Sequence, residues 1–416
     1  MKRLVLLMVC FGLLGLWFAP NTMATTETAK QDAIKNGLAW LAGNQQADGR
    51  WVYSGGVEDV AATGSALLAF MEQKDKPGGW FGEDYTSVVN KGYAYILTNA
   101  QSVGIGVQAA GNPDTNGNGI GVKFVPGGIN GRDTYVTGLV LPALAKRGNL
   151  GDTIAVGSQV GRTYADVIQD TVDYFAWGQN DSGTARGAWR YYANSGDADN
   201  STAQWPVVGM LYAQNAGAVI PAFVKTEMKG WIDYIQNPNG GSGYDGPFSI
   251  VNESKTGGLL IEMAFAGYDG YKAGDLIGKQ QALNYLDANW LNMANSTWNG
   301  NFGHPYAMWG IYKGLQVTIG LDNTTEISNL HAAAIMDPGD TWNWWEDYCD
   351  WLVKNQNAGG FWTGYEAWTG ALATAWNINI LNATKIEVPV PEPSTMLLLA
   401  FGLVGLAGFG RRLRKS

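Results

Sequence analysis

The chain is poor in the side chains that most often carry covalent, redox or metal chemistry. It has 2 cysteines and 2 histidines in 416 residues. Cys10 lies in the apolar run at the N-terminus, so a processed chain would keep Cys349 alone and could form no disulfide within itself. No Gly-rich phosphate loop and no Ser-His-Asp set is evident. We therefore expect no zinc site, no catalytic cysteine and no cofactor.

Basic side chains are also few. The chain has 27 Lys and Arg against 36 Asp and Glu, for a formal net charge of −9. Several of the basic residues lie at the two ends of the chain, so trimming of both ends would make the remaining protein more acidic. This balance predicts that neither nucleic acid nor an anionic lipid surface is a partner.

The N-terminus has the three parts of a secretory signal. Lys2 and Arg3 precede an apolar run from Leu4 to Ala19, and small residues lead to Ala24. The run is short for a stable membrane span, and no cluster of charges follows that would stop transfer. Residues 1–24 are therefore predicted to be a signal peptide, a helix that signal peptidase removes.

The C-terminus carries a second apolar segment. A linker over residues 383–395 contains Pro391-Glu392-Pro393, and residues 396–416 form an apolar stretch that ends in a basic cluster. This stretch is long enough to be a transmembrane helix with its basic end in the cytoplasm. Together these features resemble the PEP-CTERM sorting signal. The resemblance implies that an exosortase cuts near Pro391, Glu392 and Pro393 and passes the protein from the inner membrane to the cell surface or the extracellular matrix.

Two stretches near opposite ends of the chain share one spacing of aromatic, glutamine and glycine residues. The first is Trp40-Leu41-x3-Gln45-x3-Gly49-x-Trp51, and the second is Trp351-Leu352-x3-Gln356-x3-Gly360-x-Trp362. Four looser copies lie between them, and an apolar helix rich in small residues follows each copy. Helical hairpins of this kind bury their apolar faces only by stacking on each other. The sequence predicts an all-α domain over residues 30–382, an (α/α)6 toroid of six hairpin repeats.

These repeats resemble the QW repeats of the squalene-hopene cyclase and protein prenyltransferase beta-subunit superfamily, which has a terpenoid cyclase-like toroid fold. The first and last copies match the QW pattern well, and the middle four match it loosely. The resemblance implies that the Gln caps neighbouring helix ends and that the Trp packs on the adjacent turn. Such roles identify the ring and leave its chemistry open.

Acidic residues and one histidine stand where the second helix of each hairpin is expected to begin. They are Asp59, Asp133, Asp199, Glu253, His304 and Glu366. An acidic group at a helix start usually caps free N–H groups and is stabilised by the helix dipole. The alternative is that these groups converge at the mouth of a cavity and bind a ligand.

The segment Asp197-Ala198-Asp199-Asn200 partly resembles the Asp-x-Asp-Asp acid motif of class II terpenoid cyclases. The resemblance implies that Asp199 would donate the proton that starts cyclisation and that Asp197 would support it. The last position of the motif is Asn200 here, and a capping turn explains the segment equally well.

Calcium is the one metal for which the sequence offers a candidate loop. Asp114, Asn116 and Asn118 occupy the first, third and fifth positions of a calcium loop, followed by Gly119. The position that should hold a bidentate carboxylate is Val125, so an acid from outside the loop, such as Asp133, would have to complete the shell. An ordinary Asn-Gly surface turn is the alternative.

Most of the aromatic residues are expected to pack in the ring, and a minority at a cavity mouth could stack on sugar rings; Trp344 is one candidate. The leading interpretation is a binding or structural module outside the cytoplasm, with extracellular polysaccharide as a candidate partner. A cyclase-like enzyme using Asp199 and a polysaccharide-active (α/α)6 hydrolase or lyase remain as alternatives.

Overall fold

The computed structural model describes residues 25–53, 58–125, 131–270, 277–386 and 388. They form twelve α-helices in six consecutive pairs, which confirms the predicted helical class. The first helices of the pairs, called outer helices, are α1 (Glu27–Gly43), α3 (Thr86–Thr98), α5 (Tyr164–Gly178), α7 (Ala222–Ile235), α9 (Lys279–Ala288) and α11 (Trp344–Lys354). The second helices, called inner helices, are α2 (Asp59–Lys74), α4 (Asp133–Ala145), α6 (Asn200–Asn215), α8 (Glu253–Ala266), α10 (Pro305–Thr318) and α12 (Gly370–Leu381).

Two small antiparallel sheets interrupt the helical pattern. Strand β1 (Ala100–Gly104) pairs with β2 (Ile120–Phe124), and Gly104 lies opposite Ile120. Strand β3 (Gly364–Tyr365) pairs with β4 (Trp368–Thr369) just before α12. The first sheet lies inside the second repeat unit, where the spacing had predicted another helix-turn-helix copy.

The inner helices contact one another in a closed cycle. Each inner helix packs on the next one along the chain, from α2 through α4, α6, α8 and α10 to α12, and α12 packs back on α2. Small residues make the close approaches feasible, because a Cβ at Gly257 of α8 would lie 2.5 Å from Ile311 N of α10. The apolar surfaces of all six inner helices are therefore buried against neighbouring inner helices and against the outer helices.

Three tryptophans fill the space between the inner helices. The Trp205 ring lies 5.3 Å from the Trp309 ring and 5.5 Å from the Trp376 ring, which is nearly parallel to it at 11°. All three side chains are buried, and they come from three different inner helices. The centre of the helix assembly is therefore packed with aromatic rings, which form a floor between its two ends.

The glutamines of the repeat motif make the same pair of hydrogen bonds in four units. Each amide donates to the carbonyl of the glycine in its own turn and to a second carbonyl in or just before the next outer helix. The pairs of acceptors are Gly49 and Val88 for Gln45, Gly187 and Val224 for Gln179, Gly240 and Gly278 for Gln236, and Gly360 and Ala33 for Gln356. The glutamine thus fastens each turn to the neighbouring unit.

The second unit departs from this rule. Gln101, the glutamine that the spacing assigned to it, lies in β1 and makes a single 3.3 Å bond to the carbonyl of Val125. The β1–β2 sheet thus takes the place of the turn that four of the other five units fasten with glutamine.

The sequence predicts processing signals at both ends of the chain. The signal peptide over residues 1–24, the motif Pro391-Glu392-Pro393 and the transmembrane segment over residues 396–416 lie outside the described residues. Among the helices that are described, none has the length and apolar character that crossing a membrane requires.

Candidate functional site

The N-terminal ends of the inner helices converge on a cavity of about 470 Å³. Its walls include residues at the starts of α4, α6, α8 and α10 and the segment that leads into α12. The cavity-lining aromatic residues include Tyr135, Tyr191, Tyr244, Trp298, Tyr306 and Trp368. Tyr135 and Tyr306 also contact the buried tryptophans of the aromatic floor. The floor therefore closes the inner end of the cavity.

One wall of the cavity is a group of stacked rings with an open edge. The Trp368 ring stacks on Tyr306 at 4.8 Å, and Trp298 meets Trp368 edge to face at 5.2 Å. Trp298 is 49% exposed, which is unusual for so large an apolar side chain. An exposed indole beside a half-buried one offers the flat apolar surface on which a sugar ring or another planar ligand can stack.

The backbone around the mouth of the cavity is strained at several lining residues. Arg132, Ile250 and Trp298 have φ values of 57°, 44° and 66°, in the left-handed region that favours glycine. The branched side chain of Ile250 makes this conformation especially costly. Such conformations persist only where the surrounding structure holds them in place, and they occur often at ligand-binding sites.

His304 is the one predicted ligand-binding residue that lines the cavity. It precedes α10, and its Nδ1 accepts a 3.5 Å hydrogen bond from the backbone N–H of Ala307. Burial, with the nearby Lys255 charge, lowers the pKa of His304 to about 3. The ring is therefore neutral at physiological pH, and its proton is assigned to Nε2 because Nδ1 accepts.

Lys255 is the most unusual charged group of the cavity. It lies in the first turn of α8, lines the cavity and is only 4% exposed. Burial lowers the pKa of Lys255 to about 7, although the charges of Asp199 and Glu253 act in the opposite direction. Within the described part of the chain, no carboxylate forms an ion pair with its Nζ. The amine is therefore a buried base without a fixed counter-charge.

Two of the predicted acidic residues are neutralised by basic side chains. Asp59 accepts a bond from the backbone N–H of Tyr53 at 2.6 Å and pairs with Arg50 at 3.1 Å. Asp133 pairs with the ammonium group of Lys123. Both acids stand at the first position of an inner helix, where the helix dipole also stabilises them. In the described helices, neither carboxylate accepts a hydrogen bond from a free N–H group of its own helix, so their contacts are charge pairing and, for Asp59, a bond to the Tyr53 backbone.

Asp197 and Asp199 share one arginine. Arg190 Nε lies 3.1 Å from Asp199, and its Nη1 lies 3.3 Å from Asp197. Asp199 is fully buried, caps α6 by accepting from Thr202 N at 2.9 Å, and also accepts from the Ser201 hydroxyl. Burial raises the pKa of Asp199, and the bonds from Ser201 and Arg190 oppose that rise.

The remaining predicted ligand-binding residues lie elsewhere. Glu253 accepts bonds from Asn292 Nδ2 at 2.8 Å and Gly300 N at 3.0 Å, and it lines a neighbouring pocket of about 280 Å³. Glu366 is exposed in the turn between β3 and β4. Trp344 is fully buried in α11, so the prediction that it stacks on a ligand is wrong for this conformation.

The candidate calcium loop is well ordered by its own backbone. The Asp114 carboxylate accepts bonds from the N–H groups of Gly117, Asn118 and Gly119, the last two at 3.2 and 2.8 Å. Asn118 also donates to Asp170, a buried acid of α5. No group of three or more His, Cys, Asp or Glu side chains in the described residues is arranged to hold a metal ion.

Asp133 does not reach the loop as predicted, because its carboxylate is paired with Lys123. The acid beside the loop is instead Asp170, which forms an ion pair with Arg162 at 2.5 Å.

Most of the residues that line the cavity belong to no motif of the sequence. Lys255, Tyr244, Tyr306 and Trp368 are not among the candidate residues that the sequence offers. One available signal was the lysine itself, because Ser254-Lys255-Thr256 opens a helix that continues as a run of small and apolar residues. A basic residue on such a helix face is rarely buried without a function.

Comparison with known proteins identifies the C-terminal segment. Residues 389–415 match the PEP-CTERM protein-sorting motif. The chain is therefore an exported protein of the exosortase-sorted class, as its Pro-Glu-Pro motif had indicated. No curated protein matches the chain.

Proposed function

We propose that the exported domain is an (α/α)6 toroid that binds a saccharide of the extracellular matrix in the cavity at one end of its ring. The closed cycle of inner helices and the four fastened repeat turns support the toroid. The observation that carries the binding function is the cavity itself, with Trp298 exposed beside Trp368 above a closed aromatic floor.

The binding function is favoured over the cyclase-like alternative by the contacts of Asp199. A proton donor for cyclisation must present its acid to the substrate. The Asp199 carboxylate is instead engaged by Arg190, Ser201 and Thr202, with Oδ2 accepting from the Thr202 hydroxyl at 3.4 Å. These bonds hold the carboxylate as a helix cap and as the partner of an arginine.

The polysaccharide hydrolase or lyase alternative shares the substrate class with this proposal. Hydrolysis of a glycoside uses two carboxyl groups that flank the scissile bond. Asp59 and Asp133, two acids at the cavity end of the inner helices, are held by Arg50 and Lys123. Their contacts support charge neutralisation, so the binding module is the function that we put forward.

The proposed route to the surface uses the two ends of the chain. Signal peptidase removes residues 1–24, the segment over residues 396–416 holds the protein in the inner membrane, and exosortase then cuts near the Pro-Glu-Pro motif. Changing Pro391, Glu392 and Pro393 together to alanine should keep the protein in the membrane fraction at its uncut mass. Release of the altered protein at the normal rate would contradict this route.

The test of the binding function is saccharide binding by the full chain in mild detergent. A glycan array identifies a binding saccharide, and titration calorimetry then measures its affinity for the wild type and for Trp298→Ala. Loss of one stacking surface should weaken binding about tenfold, equivalent to about 1.4 kcal/mol. Trp40→Ala is the control. Trp40 lies on the outer helix α1, stacks on Phe361 and does not line the cavity. Equal effects of the two variants, or no binding to any saccharide, would refute the proposal.

A further inference from the structure

Lys255 stands in a position that is unfavourable for a cation. It is buried, and it lies in the first turn of α8, where the helix dipole and the free N–H groups favour a negative charge. Its backbone is fixed there, because Lys255 N donates to the capping Asn252 side chain and its carbonyl accepts from Asn200 Nδ2 at 3.0 Å. A bound anion would remove the unfavourable feature, since it would give the buried amine the counter-charge that it lacks.

The other charged groups near Lys255 already have partners or are neutral. Arg132 is paired with Glu58 at 2.9 Å, and Arg190 is paired with Asp197 and Asp199. Glu253, on the same helix as Lys255, is bound by Asn292 and Gly300. Among the described residues that line the cavity, Lys255 is thus the basic group that remains available for one negative charge.

Three titratable side chains around Lys255 are uncharged. His304 of α10 is neutral because burial lowers its pKa. Burial raises the pKa values of Tyr244 and Tyr306, so both phenols keep their protons. None of these three side chains offers a negative charge to Lys255 near neutral pH.

We propose that Lys255 binds the carboxylate of an acidic sugar, such as a uronic acid residue, while the exposed ring of Trp298 and the half-buried ring of Trp368 hold the sugar ring. A single cation matches the single charge of a carboxylate. The lining combines that cation with aromatic faces and uncharged polar groups, which is the combination that a charged sugar requires. This inference rests on the proposed saccharide binding and names its ligand class.

The lowered pKa of Lys255 makes binding of an acidic sugar depend on pH. In the free protein the amine loses its proton near pH 7, whereas a bound carboxylate would favour the charged form and raise the pKa. Binding of the acidic sugar should therefore take up a proton above pH 7, and affinity should fall as the pH rises from 7 to 9. Below pH 6 the amine is already charged, so affinity should be nearly independent of pH there.

The experiment compares uronic acid trisaccharides with their methyl esters, which have the same sugar ring and no charge. Galacturonate, mannuronate and glucuronate trimers are each titrated into the full chain in mild detergent at pH 6 and pH 9. We expect at least about tenfold tighter binding of one acid over its ester at pH 6, and a loss of this preference at pH 9. Calorimetry in two buffers of different ionisation enthalpy should show proton uptake at pH 8 for the acid only.

The variants separate Lys255 from the rest of the protein. Lys255→Met should bind acid and ester equally, and Lys255→Arg should keep the preference for the acid at both pH values. Lys225→Met is the control, since Lys225 is a partly buried lysine of α7 that donates to Gln214 and does not line the cavity. A thermal melt of each variant confirms that it is folded.

The outcomes distinguish the two proposals. A wild-type protein that binds acid and ester equally, or an acid preference that survives in Lys255→Met, overturns the role of Lys255 and leaves saccharide binding intact. Failure of every acid and every ester to bind overturns the role of Lys255 and counts against saccharide binding as well. Neutral oligosaccharides on the array then decide whether saccharide binding survives.

Discussion

The two ends of the inner helix assembly each bury a lysine, and the two lysines differ in what surrounds them. Lys255 lies at the N-terminal end, faces the cavity and has no ion pair among the described residues. Lys313 lies toward the C-terminal end of α10, where its Nζ donates to Tyr212 Oη and to the Thr384 carbonyl, both at 3.1 Å. Burial lowers the pKa of each amine to about 7.

This difference separates a structural lysine from a candidate binding lysine. The amine of Lys313 is enclosed and hydrogen bonded, and Glu72 lies near it through Tyr212. The amine of Lys255 is equally buried, but it borders empty space of molecular size. A lowered pKa is therefore common to both, and access to a cavity is what distinguishes the site.

The largest effect should come from the floor that separates the two ends. Trp205→Ala removes a fully buried indole that contacts Trp309 and Trp376, and it should reduce the free energy of unfolding by about 3–5 kcal/mol. Trp298→Ala removes a half-exposed indole and should change it by about 0.5 kcal/mol or less. Urea denaturation of both variants measures this contrast. Equal losses would mean that the cavity wall is as much a part of the core as its floor.

The cavity end depends on loops that the repeat glutamines hold. Gln179→Ala leaves the buried carbonyls of Gly187 and Val224 without this donor and should cost about 2 kcal/mol of unfolding free energy. Gln101→Ala is the matched control, because the single 3.3 Å bond of Gln101 should be worth about 0.5 kcal/mol. If the two variants were equally stable, the turns would not need the glutamine, and the repeat motif would lose its structural explanation.

The two lysines should also differ in stability measurements. Lys313→Met removes two buried hydrogen bonds and should cost about 1–2 kcal/mol, whereas Lys255→Met removes none from the described structure and should be neutral or stabilising. Each amine binds its proton more weakly when folded, so the unfolded chain holds more protons between pH 7 and pH 10.

The stability of the wild type should accordingly rise with pH in this range, by up to about 1.4 kcal/mol per pH unit for each lysine. Chemical denaturation at pH 7, 8 and 9 measures the slope. The slope should be smaller in Lys255→Met. An unchanged slope would show that folding does not lower the pKa of Lys255.

Calcium should have the smallest effect, and it stays a prediction for the loop of Asp114, Asn116 and Asn118. If the loop binds calcium next to Asp170, millimolar calcium should raise the melting temperature by about 1–2 °C. Asp114→Ala should abolish that rise, while Asp152→Asn, which alters an acid paired with Arg147, should keep it. A melting temperature that calcium leaves unchanged would favour the ordinary Asn-Gly turn.

The sequence predicts the helices of this domain better than its cavity. The spacing of Trp40, Gln45 and Gly49 recurs at Trp351, Gln356 and Gly360, and the structure gives Gln45 and Gln356 the same two kinds of acceptor. Local patterns of this kind are readable because each repeat makes the same contacts with its neighbour.

The cavity is harder to read because its residues come from different repeats. Lys255, Trp298 and Trp368 are distant in sequence and share no spacing, so only the closure of the helix cycle brings them together. The acids at the helix starts were conspicuous for a local reason, since Asp59 pairs with Arg50 and Asp199 caps α6 and pairs with Arg190. The acidic residues that stand out in the sequence thus support the helix starts around the cavity, whereas Lys255 lines the cavity itself.

The first and last repeats meet in space, although they lie at opposite ends of the domain in sequence. Helix α1 packs on α11 and α12, Gln356 donates to Ala33, and the Thr25 hydroxyl donates to Asp350 at 2.6 Å. The apolar face of the first hairpin is thus covered only when the last hairpin is in place. The domain therefore has a complete interior only after its last repeat has been made.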